Sequence, residues 1–311
     1  MGASGALPHE FRKQDEMSLK NEIEALRERQ IASIAKMSEN YAALRYVEAR
    51  EWSLGTMRVR AVFNPARAVS SAARTDKASI ASRPCFLCHQ NWLEGQEGVE
   101  CCDSRYDVLV NPFPIFDRHF VIASRRHEPQ AIGGRVADMW QIATELEGYT
   151  VFYNGPRCGA SAPDHMHFQA VRSAELPLWE ALPPAIEKAT TVKATGLPID
   201  VIVVDTTSAE EADRLINSLL PSLPADNEDE EPRFNLLATA TDTGVRMIVI
   251  PRPQHRPSTF TADPTDPDGM MISPASVDVA GVIVTPRHID FERLEENIIR
   301  KIYTETCKMP C

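Results

Sequence analysis

The chain has no hydrophobic run long enough to span a bilayer. Its first residues also lack the apolar stretch of a secretory signal. Ala6 stands where acylation of a Met1-Gly2 start needs Ser or Thr, so a lipid anchor is not expected. Excess basic charge is missing too: 33 Lys and Arg against 44 Asp and Glu leave a net charge of −11. That balance argues against a surface that coats nucleic acid. Seven cysteines, an odd number, show no pairing pattern among Cys101, Cys102, Cys158, Cys307 and Cys311. A disulfide framework is therefore not expected, and a reducing, cytoplasmic setting is. No internal repeat is visible in the text. What is present is 311 residues, 43% hydrophobic and 25% charged. This is the composition of a globular protein with room for two domains or a duplicated one.

The most informative residues are His165-Met166-His167-Phe168-Gln169-Ala170. They alternate polar and apolar, the pattern of a half-buried strand. Residues two apart on a strand share a face, so His165, His167 and Gln169 are expected in one row, with Met166, Phe168 and Ala170 turned into a core. Two imidazoles and an amide on one face are costly unless they act. The preceding segment, Asn154-Gly155-Pro156-Arg157-Cys158-Gly159-Ala160-Ser161-Ala162-Pro163-Asp164, is rich in glycine and small residues. Such a loop lets backbone approach a bound ligand closely. A lone strand histidine is more often a surface or hydrogen-bonded core residue, but here the pair lies between this loop and Gln169.

The stretch Asn154-Gly155…Gly159-Ala160-Ser161…His165-x-His167-x-Gln169 resembles the active-site motif of the histidine-triad superfamily. With Gln in third place, the similar branch is that of galactose-1-phosphate uridylyltransferase, diadenosine tetraphosphate phosphorylase and GDP-L-galactose phosphorylase. The run Tyr106-Asp107-Val108-Leu109-Val110-Asn111-Pro112-Phe113-Pro114, followed by His119–Ser124, looks like that superfamily's strand, nucleoside-pocket turn and returning strand. Arg233–Ala238 and Pro251–Ser258 resemble the carboxy-terminal half of the phosphorylases. The resemblance runs in order over roughly residues 80 to 300. It implies an α+β, histidine-triad-like fold of two halves, with antiparallel sheets and packed helices. It also implies His167 as a nucleophile that takes up a nucleoside monophosphate, His165 beside it, and Gln169 as donor to a phosphoryl oxygen. Asn111, Asn154, Gly155, Gly159, Ala160 and Ser161 would line the substrate. The chemistry agrees with the residue types: a neutral imidazole is a good nucleophile near pH 7. An amide cannot act as an acid, so the leaving group should depart unaided, which favours transfer or phosphorolysis.

Cys85-Phe86-Leu87-Cys88 is a C-x-x-C, a common half of a tetrahedral metal site. His127 and His165 are candidates for the other half, with His89 a rival. The layout is similar to bacterial galactose-1-phosphate uridylyltransferases, which implies a structural zinc closed by Cys85, Cys88, His127 and His165. A pair of buried free thiols is the plainer alternative. A redox pair is another, although no thioredoxin-like βαβ pattern surrounds it.

The text reads as three parts: 1–75, helical with a first strand; 76–185, the catalytic half with the metal site; and 186–311, a second half of the same kind. Residues 1–14 look disordered, 15–50 read as a helix pair and 65–82 as a small-residue loop. Strands are expected at 57–63, 106–110, 119–124, 149–153, 165–171, 199–205, 234–240, 245–250 and 281–285, and helices at 135–147, 208–219 and 290–303. Asp226–Glu231 reads as an acidic loop. Arg252, His255 and Arg256, set between prolines, form a candidate phosphate-contacting patch, to which Arg125, Arg126 and Arg157 could add. Solvated surface cations are the commoner case. The expected partners are a nucleotide sugar or dinucleoside polyphosphate and a phosphate or sugar-1-phosphate acceptor, with no nucleic acid and no membrane. A homodimer is left open. Two other functions compete: hydrolysis of the same compounds, and nucleotide binding without catalysis.

Overall fold

The computed structural model describes residues 17–64, 82–185, 190–227 and 230–310. The expectations for residues 1–14, for all but the end of 65–82, and for 228–229 of the acidic stretch lie outside the described residues. Two helices, α1 (Leu19–Ser33) and α2 (Ala35–Ala42), lead into the hairpin β1 (Glu48–Leu54) and β2 (Met57–Phe63). Strands β3 (Gly98–Cys101), β4 (Tyr106–Val110) and β5 (His119–Ser124) come next. Helix α3 (Val136–Glu145), β6 (Tyr149–Asn154), β7 (His167–Arg172) and a short α4 (Leu178–Ala181) follow. The second half holds β8 (Thr190–Ala194), β9 (Val201–Thr206), α5 (Ala209–Leu219), β10 (Phe234–Thr241) and β11 (Gly244–Pro251). It closes with α6 (Ser276–Val279), β12 (Val282–Thr285), α7 (His288–Arg293) and α8 (Glu296–Cys307).

Nine strands form one antiparallel sheet in the order β3-β4-β5-β7-β6-β10-β11-β9-β8. Hidden in that order is a repeat. Strand, strand, helix, strand, strand occurs twice, as β4-β5-α3-β6-β7 and as β8-β9-α5-β10-β11. The spatial orders, β4-β5-β7-β6 and β8-β9-β11-β10, are the same. The two units meet where β6 pairs with β10, Asn154 opposite Asn235. The fold is thus α+β, and the duplication that the text does not display is plain in the topology.

Alternation along the strands gives the sheet two different faces. Met166, Phe168, Ala170, Tyr153 and Val151 pack on one face with Ile23 and Leu26 of α1, Met139 and Ile142 of α3 and Ile216 of α5. Phe152, Val171, Leu237 and Ile248 pack on the other, beneath Val59 and Ala61 of β2, Ile283 of β12 and Ile299 and Ile302 of α8. β12 pairs in parallel with β2, so the amino-terminal hairpin is built into a three-stranded sheet with the carboxy-terminal segment. Both β1 and the break between α7 and α8 depart from the expected helices at 15–50 and 290–303. In the latter, Leu294 leaves helical geometry at φ −70°, ψ 115°, and is fully buried among the second-face core. Burial there overrides a continuous helical pattern.

Candidate active site and metal centre

β7 begins at His167, two residues later than the alternation suggests. His165 therefore precedes the strand, and the expected three-residue row is a two-residue row of His167 and Gln169 preceded by a turn. The turn frees the two imidazoles to face different partners.

His165 donates from Nε2 to the Ser124 carbonyl oxygen at 2.7 Å. A carbonyl only accepts, so the proton lies on Nε2 and the Nδ1 lone pair faces the cysteines. Cys85 Sγ lies 3.2 Å and Cys88 Sγ 3.6 Å from that Nδ1. His127 Nδ1 lies 3.3 Å from both Cys88 Sγ and His165 Nδ1. All four donor atoms fall within 4.8 Å of one another. Two sulfurs and two nitrogens around a tetrahedral zinc would be separated by about 3.3–3.8 Å, given usual bond lengths. The donor set and its spacing fit that ion. His89, the rival, stacks its ring on Trp92 with centroids 4.6 Å apart and is outside the group. Burial would raise the Cys85 thiol, but the His165 ring, in the form protonated at both nitrogens, and the Leu87 and Cys88 backbone amides pull it down to about 6. Cys88 is pushed up by burial and by its neighbouring sulfur.

His167 is 2% exposed. Its backbone N–H donates to Gln130 Oε1 at 2.8 Å, and Gln130 Nε2 donates back to the carbonyls of His167 and Asn154 at 3.0 and 2.9 Å. Its ring Nδ1 donates to the His165 carbonyl at 2.9 Å. The proton therefore lies on Nδ1 and the Nε2 lone pair is free of protein partners among the described residues. Burial pushes the imidazole down to about 4, so it is neutral at pH 7. Candidate metal ligand and free imidazole are joined by one carbonyl: that of His165 fixes the tautomer of His167.

Gln169 is oriented by a residue that sequence reasoning passed over. His119, 1% exposed at the start of β5, accepts the Ile115 backbone N–H at Nδ1, 3.1 Å. Its proton is consequently on Nε2, which lies 2.9 Å from Gln169 Oε1. The amide oxygen is thereby taken and the amide NH2 is turned the other way. Asn111 packs its Nδ2 3.2 Å from the same His119 nitrogen, while its Oδ1 caps the Phe113 N–H at 2.9 Å. A polar residue in the otherwise apolar run His119-Phe120-Val121-Ile122-Ala123 was the available signal.

The loop after Asn154 is shaped by the protein's own second half. A side chain at Gly155 would meet the Phe234 carbonyl oxygen at 2.8 Å. Gly159, at φ +96°, would drive a Cβ to 2.4 Å from that of Ala275. The close approach expected for a ligand is here, at Gly159, an approach to Ala275. Ala160 is buried and Ser161 is exposed, its carbonyl accepting from Arg83 at 3.3 Å.

The cationic patch is rearranged. Arg252 is not on the surface: it is 0% exposed and its donors are held by the Thr306, Pro274 and His255 carbonyls and by Asn235 Oδ1. Burial, and then Arg256, Arg252, Arg157 and Arg233, push His255 down to about 4. Arg256 is half-buried, bonds Ser273 Oγ through Nε at 3.1 Å and stacks over Phe260 at 4.1 Å. Arg157 pairs with Asp226 and Glu230, and Arg125 with Glu100 and Asp107. Arg126 is exposed. No helix among the described residues is long and apolar enough to cross a membrane.

One antiparallel sheet built of two strand-strand-helix-strand-strand units, with the H-x-H-x-Q segment on the strand next to their junction, is an α+β fold of histidine-triad-like form. The chain superposes on yeast Ap4A phosphorylase Apa2 in complex with AMP with a TM-score of 0.58 at 17% identity, over 88% of this chain and 95% of that one. The same enzyme in complex with Ap4A gives 0.54 at 16% identity, over 88% and 96%. At these identities the likeness is one of fold. A sequence family described as a domain of unknown function (DUF4922) matches residues 26–172. No curated protein matches the chain in sequence.

Proposed function

We propose that the protein is a nucleotidyltransferase or phosphorylase that cleaves a dinucleoside polyphosphate or nucleoside diphosphate sugar through a nucleotidyl-histidine on His167. The observation that carries this reading is the His167 ring, neutral, with Nδ1–H committed to the His165 carbonyl and Nε2 unencumbered. The Nε2 lone pair forms a P–N bond to the α-phosphorus as the P–O bond to the leaving group breaks. The leaving group departs as a phosphate-bearing anion and needs no proton. The imidazole becomes cationic, which strengthens the Nδ1–H bond to the carbonyl. An acceptor phosphate oxygen then forms the new P–O bond, and the P–N electrons return to Nε2. Gln169, its oxygen held by His119, donates its NH2 to a phosphoryl oxygen throughout. Cys85, Cys88, His127 and His165 would hold a zinc ion whose part is to fix the turn before β7. Asn111 and the 154–161 loop are assigned to the nucleotide, and Arg256 and His255 to phosphate. Arg252 is withdrawn from that list, because its donors are spent inside the protein.

Supplying Ap4A without phosphate should add one nucleoside monophosphate to the mass of the protein, through an acid-labile bond. His167→Ala should abolish both the adduct and turnover while retaining metal. An adduct that persists in His167→Ala but is lost in a folded His165 variant would reverse the two roles. Product formation that does not depend on added phosphate or sugar-1-phosphate would indicate a hydrolase. Nucleotide binding without adduct or turnover would indicate a binding protein.

A further inference from the structure

A fully buried guanidinium without an acidic partner is an expensive feature. Arg252 is such a group: among the described residues no carboxylate lies within ion-pair distance of it. Carbonyls from three separate segments, those of Thr306 at 2.8 Å, Pro274 at 2.9 Å and His255 at 3.0 Å, take part of its charge. Its shortest bond, 2.6 Å, goes to Asn235 Oδ1.

That bond decides the orientation of two amides in succession. A guanidinium only donates, so the Asn235 atom facing it is oxygen and the amide nitrogen faces the other way. There Asn235 Nδ2 meets the Cys158 carbonyl at 2.8 Å, Asn154 Oδ1 at 3.0 Å and Ser276 Oγ at 3.1 Å. The Ser276 backbone N–H donates to the same Asn154 oxygen at 2.8 Å. Neither amide can be flipped without setting donor against donor. Asn154 therefore has its oxygen saturated from the carboxy-terminal half, and its NH2, which has no partner among the described residues, is turned away from that half.

Register shows what stands beside it. Phe152 of β6 lies opposite Gln169 of the antiparallel β7, so two residues on along β6 and two back along β7 Asn154 lies beside His167. Gln130 bridges the carbonyls of these two residues, which confirms the adjacency. We infer that Arg252 and Asn235 are positioning residues that turn the Asn154 amide NH2 toward the phosphoryl group transferred at His167. The inference rests on the function proposed above. It gives the second half, which lacks an H-x-H pair, a part in the reaction. It also gives the cation buried at the junction a part: as an obligate donor it holds the amide of Asn235 in one orientation and, together with the Ser276 N–H, that of Asn154.

The test is a mutant cycle read as the rate of adduct formation with Ap4A, with melting temperature and metal content as controls of fold. Asn235→Asp still accepts from Arg252, and supplies it with a counter-ion, but it cannot donate to Asn154. Two oxygens then face each other across the 154–235 pair, and their repulsion pulls the Asn154 amide out of the position in which the Ser276 N–H holds it. Asn154→Ala removes the donor outright. Each variant should slow adduct formation on the order of a hundredfold. On the Asn154→Ala background, Asn235→Asp should cost nothing further, because both act through one NH2. If Asn235→Asp fails to fold, Asn235→Ala carries the same cycle. It leaves Asn154 held by Ser276 alone, with a smaller single loss, about tenfold, and again none on the Asn154→Ala background. A folded Asn235 variant at the wild-type rate would overturn the relay while leaving the nucleophile intact. So would losses that multiply in the double variant. A wild-type protein that forms no adduct and turns nothing over would remove the reading of the site and the relay together.

Discussion

Replacing Gln169 with glutamate exchanges one NH2 for an oxygen and leaves the rest of the side chain in place. His119 Nε2, 2.9 Å from Gln169 Oε1, can donate to the carboxylate as it does to the amide, so the side chain should keep its position. Two effects then act on the reaction. Loss of the donor costs about 3–4 kcal/mol of transition-state stabilisation, as for other positioned donors in water-poor sites. A carboxylate about 4 Å from the phosphoryl group adds repulsion of up to about 4 kcal/mol at an effective dielectric near 20. Gln169 is only partly buried, so solvent screens some of that second part. Gln169→Ala should thus slow adduct formation on the order of a hundredfold, and Gln169→Glu about ten-thousandfold, with melting temperatures close to wild type. The assay is rapid-quench mass spectrometry of the His167 adduct with Ap4A as donor. Equal rates for the alanine and glutamate variants would show that no phosphoryl charge develops near this position. A wild-type rate for Gln169→Ala would show that the amide does not touch the reacting group. Gln169→His supplies an acid in the same place and should raise hydrolysis of substrates with poor leaving groups.

Purified protein should carry about one zinc per chain. Cys88→Ser should release it, lower the melting temperature and slow adduct formation, because the His165 carbonyl that holds His167 loses its anchor; metal analysis and calorimetry check this. Burial raises Asp278 to about 6, although the Val284 and Ala275 N–H groups and Arg252 pull the other way. An acid whose pKa is higher folded than unfolded contributes stability that is fully present below the unfolded pKa of about 4. That contribution is lost as pH rises to about 6, on the order of 3 kcal/mol. Asp278→Asn should flatten the stability profile across that window in denaturant titrations. An unchanged slope would show that Asp278 ionises as freely as in the unfolded chain.

Much of the candidate site was legible in the text because its residues are local or periodic. The alternation over 165–170 marked β7, and apolar runs marked β4 and β5 at 106–110 and 119–124. Cys85 and Cys88, separated by two residues, announced half of a four-residue group that could hold a metal, whatever the fold. Glycine at 159 signalled a close approach, but not to what: contact with Ala275, 116 positions away, arises only once β6 and β10 pair.

The sequence by itself determined which strand carries His167 and Gln169 and which chemistry imidazole, thiol and amide can perform. Those properties belong to residue types and to the two-residue period of a strand. Tertiary structure alone decided which lone pair faces which partner. His119 and Ser124 reach Gln169 and His165 from a neighbouring strand, and Arg252 reaches Asn154 through Asn235 from the other half of the sheet. It also made Arg252, which reads in the sequence as a phosphate contact or a solvated cation between prolines, the buried centre of the junction. Hydrogen-bond direction is set by atoms brought together across the sheet, and no spacing along the chain encodes it.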